Sequence, residues 1–160
     1  MVDKVKLGAL AIVTIVVIAG AVLAYTTLGS VTVEGTYYTE TPRAIGVFGK
    51  IHNGKLREVC LIKVELAEPG MAMVELHETI VREGVHEMRK AEKLCIPPRG
   101  ALELKPAGYH VMIMGSSENL KAITADKIVA LKLVFDDGTQ IEIKAKPAEQ
   151  TEAHSHNHHS

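Results

Sequence analysis

The segment GYHVMIMG, residues 108–115, alternates with a strand period, so His110, Met112 and Met114 share one face while Tyr109, Val111 and Ile113 share the other. MAMVELHETI, residues 71–80, repeats the pattern: Met71, Met73, Glu75 and His77 alternate with Ala72, Val74, Leu76 and Ile80. Between these two segments, REGVHEMR reads as a tight turn and then an extended run that sets His86 and Met88 on one face. Five of the six methionines and three of the eight histidines thus lie between Met71 and Met114.

That mixture of side chains is selective about metals. Thioethers are soft, neutral donors with affinity for Cu(I) and little for Mg or Ca, and imidazole serves copper in either oxidation state. Two methionines with two histidines therefore suit Cu(I), whereas Zn calls for thiolate, carboxylate or more imidazole. A blue-copper electron-transfer centre needs a Cys thiolate close to its His and Met, and Cys95 stands fifteen positions before His110. The plain alternative is packing, because methionine on a strand is commonly a gap-filler. By that measure Met71, Met73 and Met114 read as core or as a surface over which copper enters, His86 as an exposed side chain or secondary ligand, and His52, beside NGK, as a solvated turn residue. No nucleophile–base spacing, phosphate loop or acid pair stands out, so the chain is read as a non-enzyme.

The elements that must position these residues are strands. Alternating segments fall at residues 31–38, 45–51, 58–66, 71–81, 85–89, 101–104, 109–114, 128–135 and 139–146, with turn signals HNGK, EPG, REG, IPPRG, KPAG and FDDGTQ between them. Asp137–Gly138 between two alternating runs is a strong hairpin signal. No helical period of useful length interrupts the series, which predicts an all-β sandwich or Greek-key barrel over residues 30–147.

Two flanking segments differ from this domain. Lys4 and Lys6 precede LGALAIVTIVVIAGAVLAY, an uncharged run close to the ~20 residues needed to cross a bilayer. No basic residue follows until Arg43, which predicts a cytoplasmic N-terminus and one transmembrane helix within residues 1–29. The small residues ending at Ala24 also offer a signal-peptide cleavage site, but the run is longer than a usual signal core of ~7–15 residues, which favours an uncleaved anchor. The β-domain is then held on the extracytoplasmic face of the cell membrane. No Cys follows the run, so a lipid has no attachment point there. At the other end, residues 148–160 lack any apolar period and carry His154, His156, His158 and His159, which predicts a disordered tail suited to Cu(II) or Zn. Eighteen basic against nineteen acidic residues and 4% aromatics leave no footprint for nucleic acid. Outside the cytosol, Cys60 and Cys95 form a disulfide or stay as small buried hydrophobes; spacing does not choose between them.

His77, ten intervening residues, Met88, twenty-one more, and then His110-Val-Met112 resemble the H-x10-M-x21-H-x-M signature of PCuAC-type periplasmic copper chaperones. The surrounding VELHETIVREGVHEMRKAEKLCIPPRGALELKPAGYHVMIMG and the upstream GKIHNGK are similar to that family too. The resemblance implies a cupredoxin-like barrel that binds one Cu(I) through His77, Met88, His110 and Met112. It also implies delivery of copper to a membrane cuproenzyme, the CuA centre in subunit II of cytochrome c oxidase or another copper carrier. Buffering of copper without a dedicated acceptor, or a metal-free β-sandwich that docks a partner through its Met/His face, are the alternatives.

Overall fold

A computed structural model describes residues 14–18, 29–68, 70–82 and 84–149. Ten strands run through it: β1 (Val31–Thr41), β2 (Ala44–Asn53), β3 (Val59–Leu66), β4 (Met73–Arg82), β5 (Val85–Lys90), β6 (Leu94–Ile96), β7 (Ala101–Leu104), β8 (Tyr109–Met114), β9 (Val129–Phe135) and β10 (Gln140–Pro147). They hydrogen-bond in the order β5-β4-β8-β7-β2-β1-β10-β9-β3-β6, with β8 also pairing β2. Neighbours are antiparallel except β1–β10 and β7–β8. The parallel β1–β10 contact, Tyr37 beside Lys146 and Tyr38 beside Pro147, joins the site-bearing sheet to the sheet of β3, β6, β9 and β10.

Alternation explains how the core closes. Ile45 and Val47 of β2, Val111 and Ile113 of β8, and Leu131 and Leu133 of β9 are all fully buried and belong to one cluster drawn from both sheets. Each such side chain removed from water contributes roughly 1.5–3 kcal/mol, which makes the strand register costly to slip. The strand period therefore fixes which residues are left to face outward.

One departure from strict alternation matters for the site. Glu34 opposes Lys50 and Tyr37 opposes Phe48, so β1 spends one residue more than β2 between these pairs, a β-bulge at Gly35 with φ of 61°. The bulge switches the parity of β1. Val31 and Tyr38 point into the core, and Tyr37 comes out beside Phe48, ring centroids 5.1 Å apart.

Two elements differ from the sequence reading. A helix, α1 (Ser117–Thr124), follows β8 where no helix is expected; Ser116 caps it by accepting a hydrogen bond from the Asn119 backbone N–H, and Leu120 is its buried anchor. The short β6 is also additional. Its Cys95 stands opposite Cys60 of β3, and the two are joined in a disulfide, which settles the choice between disulfide and buried thiols. The expected transmembrane run, residues 7–25, lies largely outside the described residues; residues 14–18 are helical and exposed. Among the described residues no helix is long and apolar enough to cross a membrane. The tail with His154, His156, His158 and His159 also lies outside them.

Candidate metal site

His77 occupies the centre of the outward face. On β4 it stands directly opposite His110 of β8, and the two rings lie 5.8 Å apart, centroid to centroid. On its other side it opposes Lys90 of β5, while Met88 opposes Thr79. On β8, Met112 opposes Glu75. Directly paired residues in a sheet share a face, so His77, His110, Met88 and Met112 all emerge on the same side, both methionines on diagonals from His77. Diagonal neighbours sit roughly 7–8 Å apart at Cα, within the reach of a thioether.

Each ligand candidate has its own surroundings. His110 is buried at 6% exposure although it points away from the core, because Phe48 flanks its ring with centroids 6.2 Å apart. Gly46 makes room for that phenyl ring: a Cβ there would stand 2.9 Å from Phe48 Cζ. His110 Nδ1 lies 3.1 Å from the Gly108 carbonyl oxygen, a hydrogen bond in which Nδ1–H donates and the lone pair is left on Nε2. Met88, by contrast, is 58% exposed on β5, a sheet-edge strand whose six residues are all exposed. The candidate set thus runs from a fixed, buried imidazole at β8 to an open thioether at the rim.

Glu75 is the charged residue that composition did not single out. His77 Nε2 is 3.0 Å from Glu75 Oε2, and Lys90 Nζ donates to Glu75 Oε1 at 2.6 Å. The Lys90 ammonium, and then the His77 ring, hold the Glu75 carboxyl below the usual carboxylate range, so it is an anion at neutral pH. With Nε2 so engaged, His77 Nδ1 is buried and has no hydrogen-bond partner among the described residues. A buried polar atom of that kind is uncommon in a folded protein, and a metal ion is one partner that satisfies it.

The other candidates are set further out. Met73 opposes Met114 at the far end of β4, with Met73 59% exposed and Met114 partly buried. His86 opposes Val81 near the β4–β5 turn and is exposed, beyond Met88 from His77. Met71 precedes β4 and is exposed. His52, expected in a turn, lies within β2 and pairs its Nε2 with Glu34 Oε1 at 2.7 Å. The Glu58, Cys60 and Cys95 ligand atoms also cluster within 4.8 Å, but both sulfurs are spent in the disulfide. No cysteine is free, so a blue-copper thiolate is excluded.

Comparison with known proteins adds three findings. The family described as "Putative lipoprotein LpqE-like" matches residues 26–146 of this chain. A curated relative, "Putative lipoprotein Lxx21020" of Leifsonia xyli subsp. xyli (strain CTCB07), is 34% identical over 80 residues, 49% of this chain and 46% of that protein, so the match spans about half of the relative's length. Among solved structures, the "Copper-bound PCuAC domain from PmoF2" superposes with a TM-score of 0.56 at 20% identity, over 74% of this chain and 92% of that one. The "Apo PCuAC domain from PmoF1" does so with a TM-score of 0.56 at 18% identity, over 74% and 93%. At such identities the likeness is one of fold, a mostly β, cupredoxin-like architecture.

Proposed function

This chain belongs to the LpqE-like family, and from that premise we propose that it is an extracytoplasmic copper carrier that holds one Cu(I) on the outer face of β4, β5 and β8. His77, Met88, His110 and Met112 are the proposed ligands. The observation that carries the reading is the cross-strand pairing of His77 with His110, with Met112 and Met88 on the same face and His77 Nδ1 buried without a partner among the described residues. The fold shared with the copper-bound PCuAC domain supports it.

The donor set suits carriage rather than turnover. Four neutral donors leave the ion its own single charge, a condition that favours Cu(I) over Cu(II) and lets a partner's thiolates or imidazoles displace them. Met88, exposed on the edge strand, is the ligand an acceptor meets first. Histidines 77 and 110, packed against one another, hold the ion until the exchange is complete.

The proposed acceptor is the CuA centre in subunit II of a membrane cytochrome c oxidase or a further copper carrier, with copper buffering as the simpler role. The family's description speaks of lipoproteins, yet both cysteines of this sequence are joined to each other. The proposed tether is therefore the apolar run at residues 7–25, which keeps the domain beside membrane acceptors and raises its effective concentration there. The tail histidines, His154, His156, His158 and His159, are proposed to gather Cu(II) independently.

Titration of the intact chain in detergent micelles with Cu(I), against a competing Cu(I) chelator, tests the central claim. One tight equivalent is expected, lost when His77→Ala and Met88→Leu are combined. Equal affinity in wild type and double variant would remove these residues from the site.

A further inference from the structure

We infer that Glu75 is a positioning residue for copper: it accepts the Nε2–H of His77 and so commits Nδ1 as the metal-binding nitrogen of that ring. The inference rests on the carrier reading of the site but makes a statement about the metal-free protein as well.

Three contacts converge on this role. Glu75 and His77 are two residues apart on one strand and therefore share a face, and their side chains meet at 3.0 Å. Lys90, the cross-strand partner of His77, reaches back to the second oxygen of the same carboxylate at 2.6 Å. Both Glu75 oxygens are thus occupied, one by the ring it orients and one by the cation that fixes it. The side chains of His77 and Glu75 are only 12% and 16% exposed, so water competes little for either. A neutral imidazole has one N–H and one lone pair. With a Glu75 oxygen 3.0 Å from Nε2 as the acceptor, the proton sits on Nε2 and the lone pair falls on Nδ1, the buried atom with no partner among the described residues.

The two imidazoles are then prepared in opposite senses. His110 gives its Nδ1–H to the Gly108 carbonyl and keeps Nε2 for the metal, while His77 gives Nε2–H to Glu75 and keeps Nδ1. Each ring is locked by a contact from its own strand or the residue leading into it, before any ion arrives.

Long-range proton–nitrogen correlation spectra of the metal-free chain test this directly. The wild type is expected to show His77 as the Nε2–H tautomer. Glu75→Ala should redistribute the proton between the two nitrogens and weaken Cu(I) binding by about 10–100-fold. Glu75→Gln keeps an acceptor oxygen and should retain the tautomer and most of the affinity. A wild-type His77 with its proton on Nδ1 overturns the inference by itself, even should Glu75→Ala fail to fold. Loss of Cu(I) affinity in Glu75→Ala with the tautomer unchanged overturns it too. If the wild type binds no Cu(I), the carrier reading falls, and with it the copper role of Glu75, whatever the tautomer proves to be.

Discussion

Asp137 is the buried charge on which the β9–β10 turn depends. Its side chain is 1% exposed, and burial alone would raise its pKa. The Lys55 ammonium, the Thr139 hydroxyl and the Thr139 backbone N–H together outweigh that and hold the carboxyl well below the usual carboxylate range, with Arg57 adding a contact at 3.0 Å. A carboxylate whose folded value is depressed binds fewer protons than its unfolded counterpart as the pH falls through about 4, so its contribution is complete at neutral pH and shrinks in acid. Asp137→Asn should therefore lower stability at pH 7 by about 1.5–3 kcal/mol, the range for a hydrogen bond to a charged group, and should lower it less at pH 3. Urea unfolding at the two pH values measures both gaps. Equal gaps would show that the carboxylate's charge adds nothing to the turn.

At the scale of elements, the disulfide ties β6, three residues long, to β3. The linkage closes a loop with a sequence separation of 35, and in the chain-entropy account such a loop restricts the unfolded chain by about 3–4 kcal/mol. Cys60→Ala with Cys95→Ala should lower the unfolding free energy by about that amount and leave the Cu(I) titration unchanged, because neither residue lies on the β4–β8 face. A copper affinity that fell with the disulfide would mean that β6 supports the site after all. The elements themselves were unequally legible in the sequence. Long strands such as β4 and β8 declare themselves because one face must be apolar and the other is polar or sulfur-bearing. β6 does not, since three residues between Lys93 and Pro97 are too few to show a period. α1 has a visible cap in Ser116 and an acidic first turn in Glu118, but with Leu120 as its one buried residue it leaves no helical stripe. The bulge at Gly35 is hidden for another reason, because one inserted residue reverses every later side chain and only the partner strand reveals it. The same limit applies at the site. The candidate set His77, Met88, His110 and Met112 comes from the resemblance to a family signature laid over residues whose types suit copper, whereas the contacts of Glu75 depend on which rotamers meet and on Lys90 arriving from across the sheet.

Taken as a whole molecule, the candidate ligands come from three strands that meet only when the sheet is assembled. β4 and β5 are hairpin neighbours, but β8 reaches β4 after β6 and β7 have turned back through the structure, and β8 itself is held by β2 on its other edge. An unfolded chain offers scattered thioethers and imidazoles and no site, so copper that binds there binds the folded state selectively and stabilises it by mass action. At a free Cu(I) concentration a thousand times the dissociation constant, that stabilisation is about 4 kcal/mol. Thermal unfolding of the intact chain should therefore shift upward by several degrees on adding one equivalent of Cu(I). The shift should disappear in the His77→Ala, Met88→Leu double variant and persist when residues 148–160 are deleted, because the tail histidines are proposed to take Cu(II) rather than the Cu(I) of this face. If the shift vanished with the tail instead, the stabilising copper would be bound there, and the outer face of β4, β5 and β8 would have to be explained by packing or by a protein partner.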